Sequence, residues 1–292
     1  MKSSNKINNK PMNIIIGVFL LLLDAVMLYP IIYVFSVSIS DTFRVIAGDV
    51  VLFPKGFSLE SYKIILNDTY FTRSYLNTVI YSVLGTFITL MLVTLTAYPL
   101  SIRKFRSKKY ITYIHVFTMF FGGGMIPTYL VIKSLGLIDT IWAMVLPNAI
   151  GVWYLLIFRS FFSDISYSLH ESAYIDGAND WIILYKIIIP LSKPVIATIS
   201  LFTIVAIWND FFSALLYLND RNKHPLQMTL RRILLASQVT RKENFQAEDL
   251  TKTVSLTMKS AAIFITILPI ILIYPFIQKH FVKGVMIGSI KG

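Results

Sequence analysis

Six stretches of this chain are each long and apolar enough to cross a bilayer as an α-helix, and that pattern constrains the fold before any motif is read. About 20 consecutive apolar residues span the hydrocarbon core. Such runs lie at Asn13–Ser38, Ser74–Leu100, Tyr110–Ile132, Ile141–Phe162, Lys193–Leu218 and Met258–Gln278. Lipid offers no partner to open backbone groups, so each run is expected to be helical. Composition agrees, with charged residues at only 14% and hydrophobic residues at 55% of 292, against roughly 25% charged in soluble domains. The expected fold class is an all-α polytopic membrane protein: six transmembrane helices over 13–278, a tail over 1–12 and a second tail over 279–292.

The chain has no cysteine, which removes disulfides and thiolate metal sites. Its net charge of +12 fits loops lying beside lipid headgroups in the bilayer. Nucleic acid is not an expected partner, because no folded soluble segment remains to carry such a site. The first span follows "MKSSNKINNK", which looks like the charged region of a signal peptide. The apolar run behind it is far longer than a signal core and no small-residue cleavage site follows, so it reads as an uncleaved helix.

Orientation follows from lysine and arginine in the short loops. The N-terminal tail carries Lys2, Lys6 and Lys10, and "RKFRSKK" between the second and third spans places five positive charges in seven residues. The loop between the third and fourth spans has only Lys133. Both termini are therefore expected in the cytoplasm of a multi-pass cell-membrane protein. Against this stand seven lysines and arginines in 219–257, a loop long enough to obey the rule less strictly.

Catalytic motifs are missing. No GxxxxGK[ST] loop is present to cradle nucleotide phosphates. "HESAY" opens like the zinc-protease HExxH, but Tyr174 stands where the second histidine ligand belongs. "FGGGMIP" has no strand before it, so its glycines are read as permitting close helix packing or a local break. No catalytic residue and no metal site is assigned.

The most specific stretch is "ESAYIDGANDWIILYKIIIPLSKP", Glu171 to Pro194, in the expected cytoplasmic loop 163–192. It reads as two short helices joined at Gly177, which can take a positive φ at little steric cost. Glu171, Tyr174, Ile175 and Ala178 fall on one face of the first helix. Asn179 or Asp180 caps the second, on which Trp181, Leu184, Tyr185 and Ile188 form an apolar face. Pro190 disfavours helix at the residue before it, and Pro194 suits the first turn of the fifth span. Such an element either lies amphipathically on the membrane surface or docks a soluble partner.

This stretch resembles the EAA motif of ABC importer permeases, whose pattern is roughly EAAxxDGAxxxxxFxxIxLPxxxP. Glu171, Ala173, Asp176, Gly177, Ala178, Ile189, Pro190 and Pro194 match it. Ser172 replaces the second motif residue, and Leu184 stands near the usual aromatic. "MIPTYLVIKSLGLIDTIWAMVLPN", "AIWNDFFSALLYLND" and "FVKGVMIGSIKG" are similar to carbohydrate-uptake permeases, specifically the second subunit of the maltose-permease type. "FFGGGMIPTYL" is similar to the complex-oligosaccharide branch. The resemblance runs from about Asn13 to Gly292.

It implies a type I importer permease of a bacterial cell membrane, with Glu171, Ala173, Tyr174, Asp176, Gly177, Ala178 and Pro190 forming a coupling helix seated on a cytoplasmic ATPase. The implied partners are a second, different permease, an ATPase dimer and an extracellular sugar-binding protein. This chain holds no cofactor; ATP and Mg are used by the partner ATPase. "KGVMIGSIKG" is either a second ATPase contact or a frayed end.

Sugar in a bilayer needs hydrogen-bonding groups and aromatic faces, and intramembrane polar residues usually face a cavity or a partner. Trp208, Asn209 and Asp210 lie about 15 residues, roughly 22 Å, from the cytoplasmic start of the fifth span. They are expected either along the substrate path or at the membrane interface, with Tyr154, Asn148 and Trp153 as further candidates. Asp24 in the first span reads as an interhelical hydrogen-bonding group or a pore residue. Two other functions stay open beside the importer: an ion-coupled secondary carrier titrating Asp24 and Asp210, and an intramembrane enzyme such as a lipid-linked glycosyltransferase.

Overall fold

The computed structural model describes residues 10–240 and 256–289. In chain order, α1 (Lys10–Ser38), α2 (Thr42–Ile46), α3 (Glu60–Asn67) and α4 (Thr69–Ser101) precede α5 (Lys108–Phe120), α6 (Met125–Ser134), α7 (Ile141–Val145) and α8 (Val152–Asp164). Then come α9 (Tyr167–Ile175), α10 (Asp180–Ile183), a π-helical turn (Leu184–Ile188), α11 (Ile189–Leu191) and α12 (Lys193–Trp208). They are followed by α13 (Phe212–Tyr217), a 3₁₀ turn (Arg221–Lys223), α14 (Leu226–Thr240) and α15 (Leu256–Ser289). Among the described residues the one β pairing is an isolated antiparallel bridge between Ser40 and Phe57.

Three helical segments are long and apolar enough to cross a membrane alone: Met12–Ser38, Thr69–Ser101 and Leu256–Pro275. Two bent pairs reach the same length, α5 with α6 at 115° and Asp180–Leu191 with α12 at 77°. Three expected runs are thus not continuous helices. The third breaks between Phe120 and Met125, where Gly124 takes a φ of +83°. The fourth breaks between Val145 and Val152, across Pro147 and Gly151, and the fifth between Trp208 and Phe212, across Asn209 and Asp210. Apolar composition alone hides these breaks: glycine frees the backbone, proline removes a donor, and Asn or Asp side chains compete for backbone partners.

The contacts divide the chain into two compact units. The first runs through Asp68 and includes 232–267. Val37, Val45 and Val50 form its small core, and Asp41 caps α2 by accepting from the Phe43 and Arg44 amides at 2.9 and 3.3 Å. Thr257 ties α15 to this unit through hydroxyl contacts with Thr42 and Ser61 at 3.1 and 3.0 Å. Above that core the hydrophobic side chains of α1 stand exposed, from Met12 to Ile32.

The second unit holds 69–231 with 268–292, and α4 is its spine. Ser74, Thr78, Ser82, Gly85, Thr89 and Val93 lie buried along one face of α4 at helical spacing, and small residues there admit close helix approach. Thr78 Oγ1 also accepts from the Leu226 amide at 2.7 Å, satisfying the open end of α14. Tyr81 donates to the Lys223 carbonyl at 2.7 Å. Lys223 in turn bonds Asp139 at 2.7 Å, and Asp139 accepts from the Asn219 and Asp220 amides at 3.0 Å each. These donors, Lys223 foremost, hold the Asp139 carboxyl below the usual carboxylate range.

The two tails expected at 1–12 and 279–292 do not coincide with element ends: α1 begins at Lys10 and α15 runs on to Ser289. Residues 1–9, 241–255 and 290–292 lie outside the described residues, and with them Lys2, Lys6 and the last residues of "KGVMIGSIKG".

A Cβ on Gly85 would lie 2.5 Å from Cδ1 of Ile207 on α12. Gly85→Leu is expected to destabilise the protein by about 1–3 kcal/mol, the range for overpacking, read as a lowered thermal midpoint in detergent. Gly85→Ala should lose less, because its methyl meets only the movable end of Ile207.

Candidate functional site

The loop between α8 and α12 has one side sealed into the core and one side open. Ala173, Ile183, Leu184 and Ile188 are buried with Val93, Ala97 and Tyr98 of α4, Phe158 and Phe162 of α8, and Val195 and Ile199 of α12. On the open side, Ile175 is 86% exposed, Tyr185 60%, Trp181 59% and Tyr174 45%. The expected faces are therefore redistributed. Leu184 and Ile188 point inward, whereas Trp181 and Tyr185 stack on each other outside at 6.2 Å. Trp181 and Tyr185 are one turn apart, as are Leu184 and Ile188, and the two pairs fall on neighbouring sectors of the helix.

Gly177 joins the two helices at a φ of +79°. The Ala178 amide bonds the Ala173 carbonyl at 2.9 Å and the Gly177 amide bonds Tyr174 at 3.0 Å, which closes α9 as a Schellman motif. Nothing lies within 4 Å of a Cβ placed there, so the backbone conformation is what selects glycine. Asn179 caps α10 by accepting from the Ile182 amide at 2.9 Å. Glu171 and Asp176 are exposed, and Ala178 is partly buried. Pro190 sits within α11 and Ile189 before it is helical (φ −60°, ψ −47°), contrary to the boundary expected there. Pro194 occupies the first turn of α12.

Two residues outside the expected set anchor this loop. Asp180 accepts hydrogen bonds from Tyr174 and, at 3.4 Å, from Tyr98 at the end of α4. The Asp180 contact, aided by burial, pushes the Tyr174 hydroxyl up to about 12, so it remains a donor at neutral pH. His170 is buried, with ring centroids 6.3 Å from Tyr98 and 5.8 Å from Tyr167. Asp180 was readable as a cap, but its cross-loop tie depends on Tyr98, 82 residues away. His170 gave only a failed metal-motif signal.

The breaks in the fourth and fifth runs open onto one cleft of about 720 Å³. Asn148, Tyr154 and Asp210 line it, together with Trp153, Thr203 and Ser213. Trp208 and Asn209 do not. Near the end of a helix, successive residues point about 100° apart, and each finds a different neighbour. Trp208 is 4% exposed and packs edge-on to Tyr75 at 5.8 Å. Asn209 bonds the Val205 carbonyl at 2.9 Å and accepts from Gln227 at 3.0 Å. Asp210 faces the cleft while accepting from the Ser213 amide at 3.0 Å. The exposed ring is that of Trp153. Thr89, Thr203 and Ser213 join the lining, which the sequence concealed because single hydroxyls inside apolar runs look like ordinary span residues. Asp24 is exposed on α1. Among the described residues no group of His, Cys, Asp and Glu could hold a metal ion.

Residues 9–287 match the model of a protein family described as the binding-protein-dependent transport system inner membrane component. Over 284 residues the chain is 42% identical to the polygalacturonan/rhamnogalacturonan transport system permease protein YtcP of Bacillus subtilis (strain 168), covering 97% of this chain and 99% of that one. Protein LplC of the same organism is 42% identical over 268 residues, covering 92% and 90%. The fold is similar to a chain in the crystal structure of a bacterial ABC transporter involved in the import of the acidic polysaccharide alginate. That match has a TM-score of 0.85, with 36% identity, 94% of this chain and 97% of the other covered.

Burial holds the His170 imidazole below its ordinary range, against opposing contributions from the Ser166 carbonyl and the Asp180 charge. The unfolded loop therefore binds a proton that the folded loop excludes. The stability it contributes is present above 6.5 and is lost as pH falls through that value toward the folded one. With exchange rates normalised to the intrinsic rate at each pH, the amides across 163–192 should be less protected at about pH 5 than at about pH 7.5, and His170→Gln should flatten that difference.

Proposed function

The chain belongs to the family of binding-protein-dependent transport system inner membrane components, and from that premise we propose that it forms half of the membrane pore of an ATP-driven importer of oligosaccharides. A second permease completes the pore, a cytoplasmic ATPase dimer supplies ATP and Mg chemistry, and an extracellular sugar-binding protein delivers the cargo. The observation that carries this reading is the two-sided loop. Its outer face offers Ile175, Tyr174, Trp181 and Tyr185 to a soluble partner, and its inner face is continuous with the cores of α4, α8 and α12. A surface-lying amphipathic helix needs no such glycine-closed turn.

On this reading the loop acts as a lever. The ATPase groove grips the exposed knob, with Glu171 and Asp176 at its rim. Closure of the two ATPase subunits displaces the knob, and the sealed inner face transmits that displacement to α12. This helix of 16 residues runs about 24 Å from the loop to the break at Asn209, where Asp210 faces the cleft. In the membrane, α1, α4, α5 with α6, α7 with α8, α12 with α13, and α15 provide six paths, three of them broken. Six crossings place both termini on the cytoplasmic side, together with "RKFRSKK" and the loop 163–192.

The cleft has the chemistry of a glycan path. Asn148, Asp210, Thr203 and Ser213 bond hydroxyls, and the open ring of Trp153 stacks on sugar faces. The naming of one similar permease for polygalacturonan/rhamnogalacturonan transport, and of a similar structure for alginate import, supports a complex saccharide as cargo.

Uptake by the reconstituted complex should stop when ATP is withdrawn while ion gradients are held; persistence would assign transport to an ion-coupled carrier instead. Gly177→Val forces a β-branched residue into the left-handed region at about 1–2 kcal/mol, and should abolish sugar-stimulated ATP hydrolysis in an assembled complex. Asp210→Asn should change the KM for uptake by several-fold with assembly intact, whereas Asn209→Ala should act mainly through the lost hydrogen bond from Gln227, lowering thermal stability by about 1 kcal/mol.

A further inference from the structure

Two of the broken runs are joined by a clasp that does not itself line the cleft. The helices concerned, α7 and α13, are five and six residues long, too short to hold a shape or a position by themselves. Each reaches the cleft at one end. Met144, Val145 and Asn148 line it where α7 finishes, and Asp210 and Ser213 line it where α13 starts. Their other ends converge on Asp139, which stands two residues before α7. The Asp139 amide donates to the carbonyl of Tyr217, the last residue of α13, at 2.8 Å.

The Asp139 carboxylate divides its partners between its two oxygens. Oδ1 accepts from the Asn219 and Asp220 amides at 3.0 Å each, just past the end of α13. Oδ2 accepts from Lys223 Nζ at 2.7 Å, and the same ammonium donates to the Asp139 carbonyl at 2.8 Å. Tyr81 of α4 fixes the Lys223 carbonyl in turn. With the Asp139 and Lys223 side chains 29% and 41% exposed, an ion pair alone would contribute little. The two backbone amides on Oδ1 are what make the carboxylate a bracket for the chain leaving α13. Asp139 takes a φ of +59°, in the left-handed region that few side chains adopt and that aspartate tolerates through local hydrogen bonds of this kind.

Packing continues from the clasp to the cleft. Ala143 clusters with Tyr217, and Met144 and Val145 cluster with Tyr81, Ala214 and Leu218. The two short helices are thus pinned at Asp139 and packed on each other toward the cleft-lining ends.

We infer that Asp139 is a positioning residue for the solute path: its carboxylate sets the spacing between Asn148 on one wall of the cleft and Asp210 and Ser213 on the other. It acts through α7 and α13 and touches no solute, since it is not among the cleft-lining residues. Its effect on uptake rests on the cleft being the saccharide path; its effect on the two helices does not.

Asp139→Gly is the informative variant, because glycine accepts the left-handed backbone and only the carboxylate is lost. In the assembled permease–ATPase complex in nanodiscs, hydrogen exchange at 141–151 and at 209–220 should accelerate together by about tenfold, the equivalent of one lost hydrogen bond to a charged group. Asp139→Asn keeps an Oδ1 acceptor for the two amides and Lys223→Met keeps the whole carboxylate, so each should lose less. These two variants carry the test if Asp139→Gly does not assemble. In uptake by the reconstituted complex, Asp139→Gly should raise the KM several-fold with kcat per assembled complex unchanged. A merely structural role would lower the amount of assembled complex and leave the KM alone. Exchange unchanged in the assembled variants, or accelerated only at 217–223, would overturn the inference, as would an unchanged KM in a complex that transports. Exchange that accelerates at both cleft-lining ends, in a complex that takes up no saccharide, would support the clasp and count against the saccharide reading instead.

Discussion

A helix interrupted inside lipid must satisfy its freed amides and carbonyls without help from water, and the design of the pore-forming unit follows from how this chain does so. At the break after α12, the Asn209 amide and side chain both bond the Val205 carbonyl, at 3.1 and 2.9 Å. The Asp210 amide bonds Ile207 at 3.1 Å, and the Asp210 carboxylate takes the Ser213 amide. At the break before α8, the Ala149 amide bonds Leu146 at 3.1 Å and Leu155 bonds Gly151 at 3.0 Å. The same breaks turn polar side chains toward the cleft. Irregular backbone at membrane depth is tolerated where it lines a cavity or is buried in protein, so local closure and a place for solute are two results of one constraint.

The small-residue face of α4 gives those breaks a fixed frame. Gly85 lets Ile207 approach within reach of the α4 backbone, just before the α12 break, and Tyr81 belongs to the same packed cluster as Met144, Val145 and Ala214. At the other end of α4, Ala97 and Tyr98 receive the loop helices. Tyr98 continues the connection through Asp180 to Tyr174 on the exposed knob. One helix therefore contacts both the loop between α8 and α12 and the segments that shape the cleft.

Local chemistry made the loop legible in advance. Gly177 between two apolar-periodic segments, with Asn179 two residues on, carries its own turn and cap, and both formed where those residues allow. Long-range packing was not legible. Whether Leu184 or Trp181 faces inward depends on the surfaces of α4 and α8. The broken spans were hidden for a related reason: Pro147, Gly124 and Asp210 were all visible, but a mean over 20 residues dilutes single breakers. For the cleft, Asn148, Tyr154 and Asp210 were found through intramembrane polarity. Trp208 and Asn209 satisfied the same criterion yet face Tyr75 and Gln227, because adjacent helical residues cannot share a direction.

The exposed side of α1 follows from the same accounting of polar groups. Asp24 stands midway along Lys10–Ser38, 14 positions from either end, on a helix whose large hydrophobic side chains are exposed from Met12 to Ile32. Facing lipid alone, a carboxyl at that depth would be strongly unfavourable; facing another protein helix, it can be hydrogen-bonded. Its environment in this single chain is therefore incomplete. A second permease subunit, as proposed, provides a protein surface against which α1 can be covered.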